Sequence, residues 1–161
     1  KGKMNIFDIK EIVLEFEIIG KENIATRSVY HIEEESLMTY GGKQETSLCI
    51  ENTYLTIDID IDTGLVVGIS GFLGDLKKNS STEISDFTFK KGMLIYKSTM
   101  HLEKGIGYDI GYKGKILFDK TKRVIVILIE NQPRSGEWFC VTTNISVLLN
   151  LGKLCEIRIK I

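Results

Sequence analysis

Apolar and polar residues alternate along most of this chain, with a period of two. The cleanest run is Thr53 to Asp62, with Leu55, Ile57, Ile59 and Ile61 on one parity and Thr56, Asp58, Asp60 and Asp62 on the other. A helix would scatter these residues around its circumference, so the run predicts a strand with an apolar core face and a solvated acidic face. Asp62-Thr63-Gly64 supplies a turn, with Gly64 suited to a positive φ, and Leu65 to Ser70 returns as the partner strand. Gly68 and Gly71 leave that second strand little side chain, which predicts a bulge or a close backbone approach.

The pattern predicts further strands over Lys10–Ile19 (Ile12, Leu14, Phe16 and Ile18 on one face), Ile24–Ile32, Ser47–Glu51, Asp86–Lys90, Met93–Ser98, Lys115–Phe118, Arg123–Glu130, Trp138–Val141 and Cys155–Ile161. Val124 to Ile129 is apolar on both parities, the mark of a central strand buried on both faces. Asp119-Lys120-Thr121-Lys122 reads as a hairpin turn, and Lys77 to Ser85 as a loop. Glu103 to Gly114 interleaves four glycines with Tyr108 and Tyr112, which predicts a bulged strand pair. Helix signals are sparse. Thr143 to Asn150 is the best candidate, with Asn144 as its cap and Gly152 as its end. Glu33 to Glu35 opens a possible helical turn through Leu37 and Met38, and Phe72 to Leu76 a second turn or a corner. The expected architecture is all-β and mainly antiparallel, a sandwich or partly open barrel with at most one or two short helices.

Length and composition sharpen this picture. The 161 residues fit one globular domain over 1–161, with Lys1 to Lys3 as an artificial extension before Met4. Apolar residues make up 43%, enough for a core that needs no disulfide or metal. The net charge of −1 supplies no basic field for direct nucleic-acid binding. No run approaches a membrane span, and the start lacks the apolar core of a secretion signal. Cys49, Cys140 and Cys155 are odd in number and lack C-x-x-C spacing, so free thiols in a reducing cytoplasm are expected.

Candidate chemistry is thin. Asp58, Asp60 and Asp62 have EF-hand-like spacing, but Thr63 stands where that loop needs Gly and Ile69 where it needs Glu, so no metal is expected. Asp62-Thr63-Gly64 matches the aspartic-protease triplet. It occurs once, so that chemistry would require a homodimer sharing a proton between two Asp62 residues. His31 and His101 lack partners at ligand spacing. The glycine segment lacks the strand–loop–helix context of a phosphate cradle. No catalytic residue and no cofactor are assigned. Trp138 and Tyr108 or Tyr112 are either core aromatics or interface anchors, with Trp138 assigned to the core and the two tyrosines left open.

The run L-x-I-D-I-D, D-T-G, L-V-V-G-I-S-G-F-L within residues 54–77 resembles stretches of small bacterial immunity proteins of contact-dependent and other polymorphic toxin systems. That resemblance implies a non-enzymatic protein that binds one toxin domain in the cytoplasm of the producing cell. Many such toxins are nucleases with basic clefts. Asp58, Asp60, Asp62, Glu33, Glu34 and Glu35 are then the expected partner-facing carboxylates, with Tyr108 and Tyr112 as candidate anchors. The alternatives are the dimeric protease using Asp62, and a small-ligand-binding barrel with the glycine–tyrosine segment as its mouth.

Overall fold

The computed structural model describes residues 15–97 and 101–161. The expected strand Lys10–Ile19 is seen from Glu15 onward. Its earlier residues, Ser98 and the proposed Lys1–Lys3 extension lie outside the described residues. The strands are β1 (Glu15–Ile19), β2 (Arg27–His31), β3 (Ser36–Tyr40), β4 (Thr46–Glu51), β5 (Tyr54–Ile59), β6 (Val66–Phe72), β7 (Ser80–Ser81), β8 (Lys90–Lys91), β9 (Met93–Lys97), β10 (Gly107–Asp119), β11 (Val124–Ile129), β12 (Glu137–Cys140), β13 (Ile145–Asn150) and β14 (Lys153–Lys160). One 3-10 turn, Leu76–Lys78, follows β6 and is capped by Asp75, which accepts from the Lys77 N–H. The architecture is all-β and mostly antiparallel, as the alternation predicts.

One curled sheet runs β2-β3-β6-β5-β4-β10-β11-β14-β13-β12-β8, and β1 pairs with β9 as a separate ribbon. β10 is the spine. Its first residues run parallel to β4, and Gly114 to Asp119 pair antiparallel with β11. Between them the register shifts, which fits the bulge expected of the glycine–tyrosine segment. Gly114 lies where the two half-sheets converge. A Cβ there would sit 2.7 Å from Cγ2 of Ile50 and 3.3 Å from Cγ2 of Ile127, so only glycine fits. The space inside the curl is filled by Leu48, Ile50, Leu55, Ile57, Ile125, Ile127 and Ile157, so the glycine–tyrosine segment is an inner strand and not the mouth of an empty barrel. The β1·β9 ribbon adds Phe16, Leu94 and Tyr96 to this core, and the Phe16 N–H donates to Gly152 O at 2.9 Å.

Val124 to Ile129 is buried on both sides, as expected. Ile125, Ile127 and Ile129 face the core. Val124 and Val126 are buried on the opposite, outer face. The Asp119–Lys122 hairpin turn is also present, with Asp119 paired to Val124.

Three helix or strand expectations are corrected. Thr143–Asn150 is not a helix but β13, paired with β12 on one side and β14 on the other. Ile145 and Val147 are β-branched, and two flanking strands satisfy a backbone that a helix would have closed on itself. Asn144 caps no helix. Its Oδ1 accepts from the Ser28 N–H at 3.0 Å, and its Nδ2 donates to Ser28 O at 2.6 Å and Lys160 O at 2.8 Å. That amide ties the β2 end of the curled sheet to β14. Glu33–Glu35 opens no helical turn. It is the tip of the β2–β3 hairpin, with Glu35 at φ 52, because Leu37 and Thr39 alternate with Met38 and Tyr40 as a strand requires. Asp86–Lys90 pairs only through Lys90, which with Lys91 runs beside β12. The residues before it form a strap across the outer face of the sheet. Trp138 is also corrected. It is half-buried on the outer face, with its ring 4.5 Å from Phe87 and 4.3 Å from the Arg158 guanidinium.

Candidate interaction surface

β5 carries Leu55, Ile57 and Ile59 into the core as expected, but the alternation stops there. At Asp60 the chain turns: the Gly64 N–H donates to Asp60 O at 2.8 Å, and the Asp62 N–H donates to Asp60 Oδ1 at 3.0 Å. Ile61 leaves the core row and is half-buried. Asp58, Asp60 and Asp62 therefore do not share one solvated face, and Asp58 is only 3% exposed.

A distant element causes this burial. Past Leu37 the β2–β3 hairpin lifts off the edge of β6 and folds over it. Thr39 packs onto Gly68, where a Cβ would lie 2.2 Å from Thr39 Oγ1. That is the close approach the glycine predicted. Thr39 Oγ1 donates to Asp58 Oδ2 at 2.9 Å, Thr56 Oγ1 donates to Asp58 Oδ1 at 3.1 Å, and the Ser70 hydroxyl also bonds the carboxylate. Because Thr39 spends its proton on Asp58, the Ser28 hydroxyl 3.3 Å away donates to Thr39 and accepts from the Ile69 N–H at 3.1 Å. Burial pushes the Asp58 carboxyl above its ordinary range, and the three hydroxyls oppose that rise. Asp58 is thus the centre of a buried polar network and is removed from the expected partner-facing surface. The signal in the sequence was the set of hydroxyl side chains Ser28, Thr39, Thr56 and Ser70, one on each of β2, β3, β5 and β6.

Asp60 and Asp62 meet Glu45 instead, with one carboxylate oxygen from each lying within 4.8 Å of the others. Lys43 stands 3.7 Å from Asp62 and Lys104 3.7 Å from Glu45, which offsets two of the three charges. The Asp62 side chain is 70% exposed and sits in a hairpin turn, with Gly64 at φ +75. A proton-sharing aspartate pair needs desolvation, so this placement lends the protease alternative no support. His31 Nε2 shares a hydrogen bond of 2.7 Å with the Tyr40 hydroxyl.

The two candidate tyrosines also take structural places. Tyr112 is buried and stacks on Phe16 with ring centroids 6.4 Å apart, and burial pushes its hydroxyl up to about 12. It is a core aromatic and not an exposed anchor. Tyr108 is half-buried against the core, and its hydroxyl accepts from the Glu103 N–H at 2.8 Å. Cys49, Cys140 and Cys155 are free thiols, and burial raises Cys155.

The Glu33–Glu35 turn lies on a surface that sequence reasoning missed. Glu33 and Glu34 are exposed, while Glu35 O accepts from the Leu73 and Gly74 N–H groups and anchors the hairpin tip to the end of β6. Ser36 pairs with Phe72, and Phe72 with Tyr54, so all three stand on one rung and one face. The Tyr54 and Phe72 rings lie 6.2 Å apart, edge to face. Ile32 at the tip is 76% exposed and Tyr54 is 78% exposed. Met38 and Tyr40 extend the same face outward along β3. Tyr54 was readable in part, since its parity places it with Thr56 and Asp58 and not with the core row. Asp60 and Asp62 belong to the far end of β5, about 20 Å from Tyr54 at strand rise, so they form a separate acidic site.

Among the described residues no helix is long and apolar enough to cross a membrane. Comparison of the chain with protein-family models and with curated proteins returns no match.

Proposed function

We propose that this chain is a non-enzymatic protein-binding module of the immunity type, which holds a toxin domain in the cytoplasm. The observation that carries this reading is the exposed apolar surface of Ile32, Met38, Tyr40, Tyr54 and Phe72 beside the Glu33–Glu34 carboxylates. Large apolar side chains gathered on one face are costly to leave in water, and such patches mark sites of association. Tyrosine and phenylalanine supply rigid anchors, and a carboxylate rim selects a basic partner and speeds encounter with it. The partner expected here is therefore a basic domain, such as a nuclease. Contacts are carried by Tyr54 and Phe72, and steering by Glu33 and Glu34.

Co-expression with the products of the genes flanking this chain's own, tested for one that arrests growth when expressed alone, tests the reading; that product is the toxin domain the proposal requires. The parent chain rescues growth and co-elutes with that domain. The Tyr54→Ala, Phe72→Ala double variant keeps its thermal midpoint but loses both. Rescue by the double variant at the parent's level, or no complex with the parent, removes this surface from the proposal.

A further inference from the structure

A second site lies on the opposite half of the molecule. The outer face of the β11–β14–β13–β12 region is built in rungs: Val124 beside Lys160, Val126 beside Arg158 and Ser146, and Leu128 beside Glu156 and Leu148. The strap formed by residues 82–89 crosses this face. Its near end is fixed where the Thr82 N–H donates to Phe118 O at 3.1 Å and the Ile84 N–H to Asp119 Oδ2 at 2.9 Å. Lys122 Nζ holds it by donating to Ile84 O and to Asp86 Oδ1. Its far end is fixed by Phe87, which packs on Trp138 and on Arg158, and by β8 against β12. Between strap and sheet remains a cleft of about 550 Å³, with Phe87 and Phe89 on the strap side and Thr143, Asn144, Ser146, Arg158 and Lys160 on the sheet side.

The volume is that of a small-molecule site. Among the described residues its lining carries three cations, Lys122, Arg158 and Lys160, of which Lys122 pairs with Asp86, whose carboxylate points into solvent. Arg158 is held at 2.6 Å by Glu156, and its Nη1 is buried without an acceptor. Lys160 has no ion-pair partner among the described residues. A pocket with cations on one wall and phenyl rings on the other matches one ligand chemistry, a flat apolar body bearing an anionic end. We propose that this cleft binds a small aromatic carboxylate, with the ring against Phe87 and Phe89 and the carboxylate against Lys160 and the Ser146 hydroxyl. The site is separate from the Tyr54–Phe72 surface and does not depend on that surface's function.

Saturation-transfer NMR and calorimetry with 2-naphthoate and its uncharged analogue 2-naphthamide test this. The parent binds naphthoate, and binds the amide roughly tenfold more weakly, the usual worth of one charge-assisted contact. Lys160→Ala brings the two affinities close together. Phe89→Ala weakens both ligands in parallel. Lys160 and Phe89 are exposed, so these variants fold, and a thermal melt checks that they do. The Tyr54→Ala, Phe72→Ala variant leaves naphthoate binding unchanged, so failure here and failure of the protein-binding reading are distinguishable. Equal affinity for acid and amide in the parent, a ratio untouched by Lys160→Ala, or no saturation transfer overturns the proposal.

Discussion

The curled sheet is covered on its outer face in two places, and the two covers use opposite chemistry. Over β5 and β6, the β2–β3 hairpin lays hydroxyls around a carboxylate: Thr39, Thr56 and Ser70 bond Asp58, and among the described residues no cation takes part. Over β14, the 82–89 strap lays an aromatic ring on a guanidinium, and Glu156 balances the charge. A buried carboxylate without a counter-ion tolerates its site only through good hydrogen bonds, so the first cover is demanding in geometry. Stacking on an arginine accepts small shifts, so the second cover leaves room for a cleft. Rigidity accordingly lies at the Asp58 end and adaptability at the Arg158 end.

The largest effect expected from this contrast comes at Gly68. Gly68→Val places methyl groups where Thr39 sits and levers the hairpin from the sheet. A loss of about 3 kcal/mol or more is expected, within the upper range of overpacking costs. Urea unfolding measures it, and a loss below about 1 kcal/mol means that the hairpin rides on β6 loosely.

Arg158→Ala comes next. It removes two ring contacts and leaves Glu156 on a buried face without its partner. Arg158 retains some exposure, so the cost is about 2 kcal/mol, below that of breaking a fully buried pair. The same variant removes one of the two contacts that hold Phe87, leaving its contact with Trp138, and the emission of Trp138, the only tryptophan, responds to the loss of Arg158 and to any shift of Phe87. An unchanged emission spectrum would mean that the Phe87–Trp138 contact persists and that Arg158 adds little to it.

These two covers also explain what the sequence could and could not reveal. The core row of Leu55, Ile57 and Ile59 was legible because local alternation sets it. The two-sided burial of Val124–Ile129 was legible because both parities are apolar. Gly68 was legible as a close approach, though not its partner. The burial of Asp58 was hidden, since alternation identifies the polar side of a strand but not whether a distant hairpin covers it. Thr143–Asn150 was misread because a short run of Ile, Val and Leu between Asn and Gly fits a helix or a strand, and only the flanking β12 and β14 decide. The apolar surface was half-legible, Tyr54 by its parity. Phe72 comes beside it only through pairing. The cleft was not legible at all, because Phe87, Trp138 and Arg158 are far apart in sequence.

The smallest expected effect is the most diagnostic of the first cover. Asp58→Asn keeps the size of the side chain and one acceptor, and its amide can donate to Thr56 or Ser70, whose hydroxyls also accept. The cost at neutral pH is about 1 kcal/mol or less. Its sign with pH carries the information. Burial sets the folded carboxyl above its unfolded value, so in the window between the two the folded chain holds a proton that the unfolded chain has released. Asp58 therefore lowers stability as pH rises through that window and restores it as pH falls. Asparagine does not titrate. The stability of the parent minus that of Asp58→Asn should thus increase as the solution is taken from neutral pH toward the ordinary carboxylate range. Most carboxylates that gain a partner on folding give the reverse trend, so urea midpoints of the two proteins across this range separate the cases. A difference that shrinks on acidification would mean that the hydroxyls outweigh burial and that Asp58 is held as a stabilised anion.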